Sequence, residues 1–480
     1  MRVLYVASEV RPYAKTGGLA DVAHSLPKAL AELGLDVRVA MPKYREVATV
    51  ASAEIPVAGR EAHGHLETIL PDHDPKMLFV CNDEFFDREG LYGHPDDAAR
   101  FIFFCRALLE LLRQTKWRPD IIHCNDWQTG LIPTYLKTIY ANDPFYRKTA
   151  TVFTIHNLAY QGCFPPETIQ DAGLSWALFN SEELEFYGQV NLLKAGLVFA
   201  DLLTTVSKQY AREIQTPQFG ERLEGVLLSR AEDLYGVLNG LDYDFWNPQT
   251  DEFLKFPYGP ETLEEKERNV AALREELKLP PSSGPLFGMV SRLSAQKGLG
   301  LLPDAVEEVV RAGGQLVLLG TGDDYFMKLA RRLQRRFREH VRCVLRFDEP
   351  LAHRIYAGSH FFLMPSLYEP CGLGQMIALR YAAIPIVRAT GGLKDTITDA
   401  DASRSGNGFV FEQPTGAAFA DALRRAARCF ADPPRYRALQ LRGMSCDFSW
   451  ARSAREYLKL YRKALRKRRA QLAPARTEET

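Results

Sequence analysis

Short apolar runs alternate with helix-length segments along most of the chain, and this alternation restricts the possible folds more than any other feature. The chain opens with the run RVLYVAS, continues with apolar residues at helical spacing from Leu19 to Leu33, and reaches the run DVRVAMP. Gly34 is expected to end the helix. A strand, a helix and a second strand in this order predict a parallel sheet, because parallel strands need long crossover connections.

The alternation falls into two series. The first continues through LFVCN, AARFIFFCRALLELL, DIIHC, ATVFTI, LLTTVS and GVLN, and after an irregular stretch from Leu241 to Gly284 the second runs through LFGMV, QLVLLG, RCVLRF, FFLMP, IPIVR and GFVFE. A chain of 480 residues also exceeds the roughly 250 to 300 residues that one core supports. We therefore predict an α/β protein with two Rossmann-like domains, residues 1–240 and 241–447, whose doubly wound parallel sheets face a central cleft. Residues 448–480 are expected to form a helix that packs back on the N-terminal domain, followed by a polar tail.

The composition excludes several classes of function. Sixty basic and sixty acidic residues give a formal net charge of zero, so the molecule as a whole has no long-range attraction for nucleic acid or an anionic membrane. No stretch approaches the ~20 apolar residues of a membrane span, and no signal peptide is expected. The eight cysteines form no C-x-x-C pair, which favours a reducing compartment such as the cytoplasm.

Two glycine pairs stand at predicted helix starts, in KTGGLADV and in ATGGLKDT. In the first motif Lys15, Gly17 and Gly18 precede a helix whose free amides could hold a phosphate group. Thr390 and Gly391 take the corresponding places in the second motif. The alternative is a tight turn in which glycine supplies an unusual φ and the lysine faces water, and the motif alone leaves both interpretations open.

The second series also carries two cations close together. SRLSAQKG places Arg292 and Lys297 in a loop after the strand LFGMV, at the sheet edge where open α/β folds bind ligands. An arginine fork and a lysine point charge could together clamp a diphosphate. Exposed charges are common, so the spacing alone is not decisive.

The segment YEPCGLGQM follows the strand FFLMP. Glu369 could accept a sugar hydroxyl or stabilise a developing positive charge, although a helix-capping carboxylate is the simpler interpretation. The helix start that follows could hold phosphate on its early amides, and we include these residues among the substrate-binding candidates: Cys371, Gly372, Leu373 and Gly374. The thiol of Cys371 has no base nearby in sequence, which favours a structural role over a nucleophilic one.

Two further pairs follow strands of the first series. Asp126 and Trp127 come after DIIHC, and His156 and Asn157 come after ATVFTI. The ends of parallel strands share one sheet edge, and an aromatic ring beside a carboxylate is a plausible sugar-binding pair. A lone tryptophan is, however, more often a core residue.

Six motifs in this order carry a family resemblance: KTGGLADV, HNLAYQG, NGLDYDFWNP, SRLSAQKG, YEPCGLGQM and ATGGLKDT. From about Met1 to Trp450 the chain resembles the bacterial glycogen synthases and plant starch synthases. The resemblance implies a GT-B glycosyltransferase that transfers glucose, with retention of configuration, from ADP-glucose to the non-reducing end of an α-1,4-glucan such as glycogen, with UDP-glucose as the alternative donor. It further implies that no metal ion or other cofactor is needed, that the N-terminal domain carries the acceptor, and that the C-terminal domain binds the nucleotide sugar.

The resemblance also assigns roles to individual positions. The residues expected at the diphosphate are Lys15, Gly18, Arg292 and Lys297. The residues expected at the sugars are Asp126, His156, Asn239 and Glu369. Related retaining transferases often carry a second glutamate eight residues after the first, but Ile377 stands there, so no second carboxylate is expected. A sucrose-type or trehalose-type synthase, a phosphorylase, or a glucan-binding protein without activity remain the alternatives.

Overall fold

The computed structural model describes residues 1–45, 54–57, 64–69 and 75–472. The chain divides into two compact units. The N-terminal unit comprises Met1–Val206, Ala211–Gly240 and the segment from Trp450 onwards, and the C-terminal unit comprises Ser207–Tyr210 and Leu241–Ser449.

A mixed sheet forms the centre of the N-terminal unit. The strands up to residue 240 are β1 Arg2–Val6, β2 Asp36–Pro42, β3 Glu54–Val57, β4 Gly64–Ile69, β5 Lys76–Cys81, β6 Ile121–Asn125, β7 Ala150–Ile155, β8 Cys163–Phe164, β9 Glu185–Phe186, β10 Gln189–Asn191, β11 Leu202–Thr205 and β12 Leu234–Gly236. Among the described residues, nine of them form one sheet in the order β12-β11-β7-β6-β1-β2-β5-β4-β3, and β8, β10 and β9 form a small antiparallel sheet.

Seven neighbouring strands of the large sheet are parallel, from β12 to β5, which confirms the predicted doubly wound architecture. One edge of the sheet is antiparallel instead, because β4 pairs antiparallel with β5, and β3 pairs antiparallel with β4. Only residues 70–75 separate β4 from β5, too few for the crossover that a parallel pair requires.

Helices connect the parallel strands of this unit. Up to residue 240 the helices are α1 Gly18–Glu32, α2 Asp83–Phe86, α3 Asp97–Gln114, α4 Leu131–Lys137, α5 Thr168–Asp171, α6 Leu192–Phe199, α7 Lys208–Glu213 and α8 Glu224–Ser229. The first residues of α7 fall within Ser207–Tyr210, which belongs to the C-terminal unit. Strands β1, β6 and β7 are buried almost throughout, as expected for parallel strands covered by helices on both faces.

The C-terminal unit has a parallel sheet of its own. Its strands are β13 Leu286–Val290, β14 Gln315–Leu319, β15 Val341–Val344, β16 Phe361–Met364, β17 Ile384–Arg388 and β18 Phe409–Phe411. They pair in the order β15-β14-β13-β16-β17-β18, with every pair parallel. The helices are α9 Lys266–Glu276, α10 Leu302–Arg311, α11 Asp324–Arg336, α12 Glu349–Gly358, α13 Gly374–Arg380, α14 Gly391–Thr396, α15 Gly416–Phe430 and α16 Pro433–Met444.

The last helix, α17 Trp450–Leu472, belongs to the N-terminal unit. It packs against α1 and β7. Ser453 Oγ donates to the carbonyl of Leu238 (2.6 Å), and the Tyr461 hydroxyl lies 2.8 Å from His123 Nδ1 in the core. Among the described residues, no helix combines the length and the apolar character that crossing a membrane requires.

Both sheets have a point where the strand order reverses. In the N-terminal unit it lies between β1 and β6, and in the C-terminal unit between β13 and β16. Loops that leave neighbouring strands in opposite directions open a crevice there, and ligands of open α/β sheets bind in it. The loops after β1, β6, β13 and β16 are therefore the places to look for a site.

Candidate active site

The loops after β13 and β16 meet through an ion pair. Lys297 Nζ lies 2.7 Å from Glu369 Oε2, and the side chains are 17% and 8% exposed. Ser366 Oγ donates to the same carboxylate oxygen (2.9 Å). Two residues that are far apart in sequence thus join at the strand-order reversal, and Glu369 has a specific cationic partner in addition to its place near a helix start.

Close backbone packing holds these two loops together. Gly298 has φ +70°, and a Cβ there would overlap the carbonyl oxygen of Pro365. The amide of Leu367 donates to the carbonyl of Gln296 (2.8 Å). From the end of β17, Arg388 donates to the carbonyls of Ser366 (2.8 Å) and Leu367. The loop that carries Glu369 is therefore fixed from two neighbouring strands.

The glycine pair of ATGGLKDT lies against the same loop. Gly391 has φ +44°, and a Cβ at this position would overlap the carbonyl oxygen of Glu369. The amide of Gly392 donates to that carbonyl (3.0 Å), and a Cβ on Gly392 would overlap the carbonyl of Cys371. Thr390 is buried beside them. This contact gives the two glycines a structural reason, so the phosphate role of Thr390 and Gly391 stays a prediction.

Two glycines, Gly372 and Gly374, lie at the start of α13. Gly372 has φ +70°, and the Gln375 side-chain amide donates to the carbonyls of Cys371 (3.1 Å) and Gly372 (2.8 Å). A Cβ on Gly374 would lie only 3.2 Å from Met364 Sδ. Glycine at 374 therefore fits the space, and Leu373 precedes it as the N-cap residue.

Arg292 lies two residues after the end of β13 and is exposed. It shares the loop of Lys297, so one loop carries two cations. This is the arrangement the sequence predicted for a diphosphate clamp, and the assignment to a diphosphate stays a prediction.

In the N-terminal unit, Asp126 and His156 come together after β6 and β7. Asp126 Oδ1 accepts the backbone N–H of His156 (2.8 Å). Burial raises the pKa of the Asp126 carboxyl to about 7, against the lowering effect of this hydrogen bond. Asp126 has φ 57° and ψ −179°, a conformation that costs a non-glycine residue about 1–3 kcal/mol and that concentrates at functional sites.

The imidazole of His156 is positioned from the same strand end. Its Nε2 lies 2.9 Å from Oδ1 of Asn125, the last residue of β6. Burial lowers the pKa of His156 to about 3, so the ring is neutral at physiological pH. A neutral imidazole can exchange hydrogen bonds with a sugar without adding charge.

The loop between β1 and α1 contains a residue that sequence reasoning missed. Glu9 is buried, and its Oε2 accepts the backbone N–H and the hydroxyl of Thr16, both at 2.6 Å. Burial raises the pKa of this carboxyl. Glu9 therefore occupies a backbone amide beside the predicted Gly17 and Gly18, and the sequence signal for it was a carboxylate at the end of the first apolar run.

Lys15 lies on the surface of this loop. Its Nζ is 3.0 Å from Asp21 Oδ1 in the first turn of α1. Gly17 is the N-cap residue of α1 and Gly18 its first residue, and a Cβ on Gly18 would have no heavy atom within 4 Å. The structure thus confirms the helix start at the glycine pair, while the contact of Lys15 and Gly18 with a phosphate stays a prediction.

Trp127 packs in the core. It is 9% exposed, and its ring meets those of Phe101 (5.0 Å between centroids) and Phe164 (5.5 Å). A Cβ on Gly162 would lie 2.4 Å from Trp127 Cε3 if neither moved, so Gly162 closes a third side. This packing favours the core alternative over a sugar-stacking ring.

The two asparagines differ in how well their side chains are satisfied. Asn157 Oδ1 accepts the amide of Ala159 (3.1 Å) and shapes the turn after β7. Asn239 is 7% exposed, and its Oδ1 has no hydrogen-bond partner among the described residues. A buried acceptor without a donor is costly, which is consistent with the predicted contact between Asn239 and a polar ligand.

Two family models match the chain. The starch synthase catalytic domain matches residues 2–229, and the glycosyl transferases group 1 family matches residues 273–437. The glycogen synthase of Moorella thermoacetica is 51% identical over 480 residues, 98% of each chain. That of Thermotoga maritima is 46% identical over 483 residues, 97% of this chain and 99% of the relative.

Two solved structures are similar to the chain. The catalytic domain of starch synthase IV from Arabidopsis thaliana, bound to ADP and acarbose, matches with a TM-score of 0.90 and 36% identity, over 97% of this chain and 99% of that one. Sucrose-phosphate synthase from Thermosynechococcus elongatus matches with a TM-score of 0.60 at 20% identity, over 96% and 98% of the chains, which indicates a likeness of fold alone.

The protein has two doubly wound units, and a cation and a carboxylate pair at the strand-order reversal of the second unit. Together with the matches to the group 1 family and to starch synthase IV, these features define the class of the protein as a glycosyltransferase of GT-B architecture. The relatives narrow the class further. The chain belongs to the glycogen synthase and starch synthase family, as its six motifs predicted.

Proposed function

We propose that this enzyme transfers glucose from ADP-glucose to the non-reducing end of an α-1,4-glucan such as glycogen, with retention of configuration. The observation that carries the proposal is the Lys297 and Glu369 pair at the strand-order reversal of the C-terminal unit. Membership in the family supports the reaction, and the ADP in the starch synthase IV structure supports the nucleotide.

The paired loops suit the departure of a nucleoside diphosphate. As the bond to the sugar breaks, negative charge grows on the diphosphate, and preorganised cations at that position lower the barrier. Lys297 is held by Glu369, whose carboxylate also accepts the hydroxyl of Ser366, before substrate binds, so its ammonium need not be ordered during the reaction. Arg292 on the same loop adds a second cation, whose two N–H groups can bond two oxygens of one phosphate.

The residues after β6 and β7 suit the sugar. His156 is neutral, and Asp126 has a pKa near neutrality, so both can exchange hydrogen bonds with hydroxyl groups at physiological pH. Asn239 adds a buried acceptor. Glu369 can accept a sugar hydroxyl with the oxygen that Lys297 and Ser366 leave free. We also infer a cytoplasmic location, from the dispersed cysteines and the nucleotide sugar.

Transfer of labelled glucose to glycogen from ADP-glucose and from UDP-glucose, measured side by side, tests the proposal. We expect incorporation from both or from ADP-glucose alone, with the higher kcat/KM for ADP-glucose. The anomeric proton signals of the product, read by NMR, should be those of α-linked glucose. Release of free glucose without incorporation, or turnover of neither donor, would contradict the proposal, and a preference for UDP-glucose would correct the nucleotide.

A further inference from the structure

The side-chain amide of Asn125 lies between three polar groups at the end of β6. Its Oδ1 accepts the hydroxyl of Tyr5 (3.0 Å) and lies 2.9 Å from Nε2 of His156. Its Nδ2 donates to the carbonyl of Val6 (2.9 Å). Asn125 is fully buried, so these partners take the place of water.

Only one orientation of this amide is compatible with its surroundings. The carbonyl of Val6 is a hydrogen-bond acceptor and cannot donate, so the NH₂ group must face it. Rotating the amide by half a turn would set two acceptor oxygens 2.9 Å apart. The oxygen of Asn125 therefore faces His156, and the atom of His156 that meets it must carry a proton.

We propose that Asn125 is a positioning residue that holds His156 as the Nε2–H tautomer, so that Nδ1 is the hydrogen-bond acceptor offered to a sugar hydroxyl. The contacts of His156 are consistent with this, because among the described residues only Asn125 bonds its ring, and Asp126 accepts its backbone N–H. Nδ1 therefore has no protein partner within the described part of the chain.

The sugar contact in this inference rests on the proposed function, whereas the tautomer does not. A neutral imidazole has two tautomers, with the proton on Nδ1 or on Nε2. Only the Nε2–H tautomer can accept a hydrogen bond from a hydroxyl group at Nδ1. By fixing the state before substrate binds, Asn125 removes the need to select a tautomer during each turnover. The other titratable groups around the ring, Asp126 and His123, do not bond its nitrogens.

Long-range ¹H–¹⁵N NMR of protein labelled in its ten histidines reads the tautomer directly. The His156→Gln variant identifies the signals of His156. In the wild type at neutral pH we expect the proton on Nε2 and a bare Nδ1. Asn125→Leu, which matches the shape of asparagine and removes the acceptor, should shift the ring toward a mixture of tautomers.

Two variants serve as comparisons. Tyr5→Phe removes the other hydrogen bond to the same oxygen but leaves His156 its acceptor, so the tautomer should stay as in the wild type. Asn125→Asp, which must be protonated in this buried site so that its second oxygen can donate to the carbonyl of Val6, keeps an acceptor oxygen for Nε2 and should keep the proton there. If Asn125→Leu fails to fold, the wild type and Asn125→Asp still decide the matter.

Kinetics form the second part of the test. Asn125→Leu should lower kcat/KM for glucose transfer about tenfold, the equivalent of one hydrogen bond, with Tyr5→Phe within about threefold of wild type and Asn125→Asp recovering part of the loss. A proton on Nδ1 in the wild type, or an unchanged tautomer in Asn125→Leu, would overturn the inference. A wild type that transfers no glucose from any nucleotide sugar would overturn the proposed function and leave the tautomer result standing.

Discussion

Lys297 is the residue on which the proposed chemistry depends most. Replacing it with alanine removes the ammonium at the predicted diphosphate and leaves Glu369 without its cation. We expect Lys297→Ala to lower kcat by about a hundredfold or more, a loss of ~2.7 kcal/mol typical of one electrostatic donor. Lys328→Ala, on the exposed side of α11, is the matched control and should leave kcat unchanged. Turnover of Lys297→Ala within about threefold of wild type would remove Lys297 from the mechanism.

Asp126 should make the stability of the enzyme depend on pH. An unfolded aspartate titrates near 3.9, and burial raises the pKa of Asp126 to about 7. Between these values the folded protein binds more protons than the unfolded chain, so the free energy of unfolding falls as the pH rises from about 4 to about 7. The Asp126→Asn variant lacks this titration, and its stability relative to wild type should increase across the same window.

Urea unfolding at about pH 5 and about pH 8 measures this difference. The gain of Asp126→Asn over wild type should be larger at the higher pH. Asp171→Asn, at an exposed position of α5, should show the same stability difference from wild type at both pH values. If Asp126→Asn gained the same stability over wild type at both pH values, the folded-state pKa of Asp126 would not be raised.

Sequence reasoning found most of the polar residues of the site but few of their partners. Lys297 and Glu369 were each proposed from their place after a strand, yet their contact joins positions far apart in the chain and depends on strand order. Glu9 was missed because its partner is Thr16, which it binds through the backbone N–H as well as the hydroxyl, and no sequence pattern marks such a contact. Trp127 remained ambiguous because burial depends on the rings of Phe101 and Phe164.

Among the elements, the turn into α14 should tolerate substitution least. Gly391 has φ +44°, and a Cβ there would overlap the carbonyl of Glu369. We expect Gly391→Ala to cost about 2 kcal/mol or more of stability, from overpacking and the unfavourable φ together, and to lower activity because the Glu369 loop must move. Gly300, where a Cβ would meet nothing within 4 Å, is the control, and Gly300→Ala should change urea unfolding by less than about 0.5 kcal/mol. An equal loss of stability in Gly391→Ala and Gly300→Ala would argue against the close contact between Gly391 and the carbonyl of Glu369.

Helix α17 is tied to the core of the N-terminal unit through Tyr461. Its hydroxyl bonds Nδ1 of His123, whose Nε2 bonds Thr154 Oγ1 on β7. Tyr461→Phe should cost about 1–3 kcal/mol, because the buried Nδ1 loses its partner. Tyr325→Phe, at an exposed position, is the control and should leave the free energy of unfolding unchanged within about 0.5 kcal/mol. If Tyr461→Phe also changed the free energy of unfolding by less than this amount, water would have to replace the hydroxyl.

The pattern of apolar runs predicted the parallel strands well, because strands buried on both faces are apolar throughout. It did not predict the antiparallel edge. Strands β3 and β4 are short, and HLETI in β4 mixes polar and apolar residues, so no continuous run marks them. Their direction follows from the short connection to β5 and not from the character of the strands themselves.

At the scale of the whole molecule, the two series of strands in the sequence correspond to two units with sheets of their own. The length of the chain predicted this number as well, because one core cannot enclose 480 residues. The assignment of the acceptor to the first unit and of the nucleotide sugar to the second stays a prediction.

The chain leaves the N-terminal unit at Gly240 and returns to it at Trp450, and Leu241 and Ser449 pair side by side where the two connections enter the C-terminal unit. During synthesis on the ribosome, the second unit is therefore finished while the first still lacks α17. Tyr461 reaches His123 only after the second unit has been made, so the unit whose strands are translated first is completed last.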